Sequence, residues 1–88
     1  MTESAAGAPK AELNYITQTF FIQAMINAGR IPNPLSKKQE TNRELAKFHI
    51  ELLEILAQKT RGNLTPEEEQ TLNNCLHQTR MAFIELGR

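Results

Sequence analysis

The chain has one cysteine in 88 residues, so no internal disulfide can staple it. That excludes the small disulfide-rich secreted scaffolds. It also lacks an excess of either charge, with ten Lys and Arg against ten Asp and Glu. A general nucleic-acid binder needs a basic surplus to neutralise phosphates, and a charged disordered chain needs low hydrophobicity and net charge. Neither description fits a chain of zero net charge that is 40% hydrophobic. Its four glycines are scattered and form no phosphate-cradling loop. Residues 1–10 have no basic start and no apolar run, unlike a signal peptide. The uncharged stretch Leu13 to Gly29 is broken by Asn14, Thr17, Gln18, Thr19, Gln23 and Asn27. It is too polar and too short for a bilayer crossing of about 20 apolar residues. Strand patterns and internal repeats are missing as well.

What remains is a small all-α domain. Residues 1–11 read as a disordered arm with little to bury, and residues 12–88 as a single helical domain. A first helix is predicted from about Glu12 to Ala28, stopped by Gly29. Pro32 and Pro34 forbid its continuation, and Ile31 and Leu35 are expected to pin the connector to the core. A second helix starts at Thr41 or Asn42 and runs to about Thr60, where Gly62 supplies a left-handed stop. The third has the sharpest start in the chain. Thr65 is its N-cap, Pro66 its first residue, and Glu68 completes a capping box. It ends near Leu86, with Gly87 as its stop. The short connection from Arg61 to Leu64 makes the second and third helices an antiparallel hairpin.

Helical periodicity assigns the faces. The third helix has one buried stripe: Leu72, Cys75, Leu76, Thr79, Ala82, Phe83 and Leu86. The second is apolar over more than half its circumference, which calls for cover on two sides and makes it the central element. Its Leu45, Leu52, Leu53 and Leu56 are expected to face Leu72, Leu76, Thr79 and Phe83. The first helix places Leu13, Ile16, Phe20, Phe21, Ala24 and Ala28 on a core stripe. Tyr15, Ile22 and Ile26 fall on the opposite side, where a domain this small has little to cover them. They are therefore the expected protein-interface residues.

The run Lys59-Thr60-Arg61-Gly62-Asn63-Leu64-Thr65-Pro66-Glu67-Glu68, with Ala28-Gly29-Arg30-Ile31-Pro32-Asn33-Pro34 upstream and Leu76 and Arg80 downstream, resembles the bacterial domain-of-unknown-function family 1844. The resemblance covers nearly everything after Leu13. It implies a bacterial, cytoplasmic, all-helical protein, and brings no activity, cofactor or catalytic residue.

Candidate chemistry is sparse. His49, Cys75 and His77 are the soft metal-ligand types, and the hairpin would bring His49 level with Leu76. Cys75 and His77 lie two apart on a helix, about 200° around it, and point to different sides. A small ligand- or metal-binding protein using that neighbourhood is the alternative reading. Lys59 and Arg61 are expected to answer the dipole of the second helix and pair with Glu67, Glu68 and Glu69 rather than hold an anion. Arg80 is expected to reach Glu44. No nucleophile–base set or carboxylate pair stands at a catalytic spacing. The reading is a non-enzymatic cytoplasmic module without cofactor, either a homodimer or bound to a protein partner, and with neither nucleic acid nor membrane as its target.

Overall fold

The computed structural model describes residues 7–87. Three helices follow in order: α1 (Leu13–Asn27), α2 (Arg43–Lys59) and α3 (Pro66–Leu86). No strand occurs among the described residues. Of the expected arm, residues 1–6 lie outside the described residues; 7–11 are exposed and carry no helix.

Each helix end has a visible cause. At the end of α1 the Gly29 N–H donates to Ile26 O at 3.0 Å and the Arg30 N–H to Met25 O at 2.8 Å. This is the Schellman pair, which needs a left-handed residue; Gly29 has φ 79°. The chain then returns to α1. Ala28 bridges Thr41, and the Asn42 N–H donates to Asn27 O at 2.7 Å. Asn42 is the cap of α2, its Oδ1 accepting from the Leu45 N–H at 3.0 Å. Gly62, with φ 86°, turns the chain after α2. The capping box of α3 is complete. Thr65 Oγ1 accepts from the Glu68 N–H at 3.1 Å, and Glu68 Oε1 accepts from the Thr65 N–H at 2.9 Å. Gly87 caps the end of α3 in an ordinary right-handed conformation, φ −81°.

All three helix pairs pack together. The core is Leu53, Leu72, Cys75 and Leu76, with Phe20, Phe21, Leu56, Ala57 and Leu64 packed against it. Thr79 is buried too, its hydroxyl donating to Cys75 O at 2.9 Å and to Leu76 O at 3.1 Å. The Arg43 guanidinium lies 4.3 Å from the centre of the Phe83 ring, while Glu54 Oε2 accepts from Arg80 Nη2 at 3.1 Å.

Several expectations are corrected. Leu35 does not pin the connector; it is almost fully exposed. Asn33 holds that loop instead: its Oδ1 accepts from the Leu35 N–H at 2.8 Å, and its own N–H donates to Lys38 O at 2.8 Å. An Asx turn of this kind closes on itself and leaves its tip in water. Arg80 takes Glu54 rather than Glu44, because Glu54 stands beside Ile50 on the side of α2 that borders α3, whereas Glu44 lies about 80° further round the helix. Lys59 and Arg61 do not pair with Glu67, Glu68 or Glu69; the ion pairs among the described residues are Arg30–Glu85 and Arg80–Glu54. On α1, Ile16 is half-exposed, while Thr17 is buried in the sector that periodicity assigns to the core stripe.

Candidate interaction face

The largest correction concerns α2. Its buried residues are Ala46, Ile50 and Leu53, a single stripe at i, i+4, i+7. Leu45, Phe48 and Ile55 are 44%, 50% and 51% exposed, and Leu52 between them is half-buried. Both α1 and α3 pack on this half of the helix, and its other half stays open. The Cα atoms span 45 × 32 × 16 Å. The short axis holds two helix layers about 10 Å apart and no third, so each helix keeps an outer face. Neither Leu45 nor Leu52 belongs to the core cluster that Leu53 and Leu56 share with Leu72 and Leu76.

Leu45, Phe48, Leu52 and Ile55 are spaced three, four and three apart. At 100° per residue they occupy an arc of about 80°, centred roughly 150° around the helix from Ala46, Ile50 and Leu53. This spacing is the seam by which one helix packs along another. Glu44 and Glu51 flank the seam on one side. On the other, towards α1, stand His49 and Leu56, both half-buried. His49 is fixed by a 2.9 Å contact from Nδ1 to Leu45 O and an edge-on approach to the Phe48 ring at 5.2 Å between centroids.

The neighbouring helix extends this surface. The Ala28–Thr41 bridge marks the reversal between α1 and α2, and equal counts from it set Ile16 level with Leu53. Ile16, 48% exposed, thus continues the seam across to α1. Tyr15 and Ile22 are exposed further round that helix. Ile26, expected at the contact with them, is buried. It lies in the last turn of α1, beside the Ala28–Thr41 bridge where the chain folds back. From Leu13 to Asn27 the helix has no charge to solvate its outer side.

The alternative site does not assemble. Cys75 is buried in the core cluster, where burial pushes its thiol pKa up. His49 belongs to α2's outer side, and His77 is exposed on the opposite flank, lining a groove with Met25 and Arg30. Among the described residues, no three His, Cys, Asp or Glu side chains come together as a metal site would require. A second surface feature is the groove between α2 and α3, about 340 Å³, floored by Ile50, Phe83 and Ile84. The Arg80–Glu54 pair crosses between its walls. No described helix is long and apolar enough to cross a membrane.

Sequence periodicity identifies α2 as the helix with excess apolar surface, but not which sector stays bare. The signal lies in the three-four-three spacing of Leu45, Phe48, Leu52 and Ile55.

Residues 10–85 match the family described as Domain of unknown function (DUF1844). The chain belongs to that family. No curated protein and no solved structure matches it. The matched region takes in all of α1, α2 and the α2–α3 turn, and α3 as far as Glu85.

Proposed function

We infer that this DUF1844 domain is a non-enzymatic interaction module of the cytoplasm, which binds protein through the outer face of α2 and the adjoining side of α1. The observation that carries this reading is the bare seam Leu45-Phe48-Leu52-Ile55 on an otherwise well-capped helix. Burying about half of each such side chain would contribute roughly 1–2 kcal/mol apiece. Four of them in register, with Ile16 beside them, form a patch rather than isolated exposed residues. Tyr15 and Ile22 form a separate exposed apolar sector of α1, about 100–120° round from Ile16.

The test is the size of the protein in gentle extracts of cells that express it at native level. The wild-type chain is expected to migrate in an assembly well above its 10.0 kDa mass. The double variant Phe48→Glu, Leu52→Glu is expected to migrate as a monomer with unchanged helical circular dichroism. Wild-type migration at monomer size would contradict the reading.

A further inference from the structure

We propose that the occupant of this face is a second copy of the same chain, with the two α2 helices packed antiparallel across a two-fold axis and α1 of each copy alongside. This inference rests on the interaction reading above and names its partner.

Three observations lead to it. First, the seam is self-complementary. Pairing α2 with a reversed copy about a centre between Phe48 and Leu52 sets Phe48 against the other copy's Leu52, and Leu45 against its Ile55. The first pair matches an aromatic ring with a branched aliphatic side chain, the second matches two aliphatics, and neither buries a charge. Second, the area fits. Ile16, Leu45, Phe48 and Ile55 are each close to half exposed and Leu52 is half-buried, presenting roughly 350 Å² of apolar surface on this face. Two-body interfaces of standard size bury about 600–1,000 Å² per partner, about 60% of it apolar, and this face reaches the lower end of that range. Third, the charges permit it. The chain is neutral overall, and α1 presents no charged residue between Leu13 and Asn27. Glu44 and Glu51 stay at the rim, where water and salt screen the approach of Glu51 to its copy across the two-fold axis. Glu54 is held by Arg80 on the α3 side, away from the seam. Closed two-fold pairing is also the commonest way for a face of this kind to be satisfied.

The antiparallel register makes a prediction that other occupants do not. Phe48→Glu and Leu52→Lys should each prevent self-association, weakening it at least about 100-fold by placing an unpaired charge against an apolar side chain. Mixing the two purified variants should restore a dimer. The carboxylate introduced in one copy by Phe48→Glu then meets the ammonium introduced in the other by Leu52→Lys, while the second pair remains Leu52 against Phe48. Native mass spectrometry reads the mixed species directly. Circular dichroism of each variant checks that it is folded. A mixed dimer of folded variants supports the proposal. Folded variants that never form a mixed dimer, or single variants that dimerise as the wild type does, overturn it. A wild type that is monomeric when pure, yet held in a larger assembly in extracts through this seam, overturns the second copy as occupant while leaving the interaction reading in place. A monomer in both settings defeats both.

Discussion

A β-carbon placed on Gly29 would lie 2.9 Å from Thr41 Cγ2. This close approach ties the end of α1 to the start of α2, and so sets how the two helices share a face. Position 29 therefore faces two demands at once, a positive φ and a missing side chain. Gly62 faces only the first, since nothing lies within 4 Å of its would-be β-carbon. Gly62→Ala is expected to cost about 1–2 kcal/mol from the left-handed conformation alone. Gly29→Ala should cost more, and adding Thr41→Ser, which removes the clashing methyl, should recover part of the difference. Urea midpoints of the three variants measure this.

The cap of α3 offers an independent check on local energetics. Thr65→Ala removes the acceptor for the Glu68 N–H and should cost about 1 kcal/mol. Because Thr65 is exposed and far in sequence from the seam, its loss should lower thermal stability without altering oligomeric mass. An unchanged denaturation midpoint would contradict the assigned role.

Asn14 is a weak point in the packing. Its Oδ1 is buried with no hydrogen-bond partner. Replacing it by Leu removes an unsatisfied acceptor and keeps the branch at Cγ, so Asn14→Leu should stabilise the fold by about 1 kcal/mol. A lower midpoint in Asn14→Leu would show that the amide is satisfied in solution.

Burial of Cys75 raises its thiol pKa in the folded chain. The folded state then holds the proton more tightly than the unfolded one. Stability from this group is complete below the unfolded value of about 8.5 and falls as pH rises through the higher folded value. Cys75→Ala should flatten that alkaline decline. Iodoacetamide should modify Cys75 slowly in buffer and rapidly in denaturant. Fast labelling under native conditions would place the thiol outside the core.

Sequence is most informative where a local rule acts alone. The capping box at Thr65 and Glu68, the Asn42 cap and the left-handed Gly29 and Gly62 need only neighbours a few residues away. The single stripe of α3 is legible for a related reason: one apolar face can have only one burial. The faces of α1 and α2 are harder to assign. Periodicity shows which sectors are apolar, but only packing decides which of them gains a neighbour. Ile26 is covered beside the chain reversal at Ala28 and Thr41, whereas Leu45 and Phe48 are left bare because α3 packs on the side of Ile50. Thr17 escapes a hydropathy pattern because its hydroxyl hides a position whose angle on the helix, between Ala24 and Phe21, is that of a core residue. Leu35 misleads in the opposite way. Its side chain suggests an anchor, but the Asn33 turn controls where it points.

The central claim is that the α2 seam is buried in the working protein. Sedimentation equilibrium of the wild-type chain across the micromolar range tests it most directly. The mass is expected to rise from 10.0 kDa towards twice that value with concentration, and a Leu52→Glu variant to stay at the monomer mass while remaining helical. A wild-type mass fixed at the monomer value throughout, with no larger assembly in extracts, would contradict it.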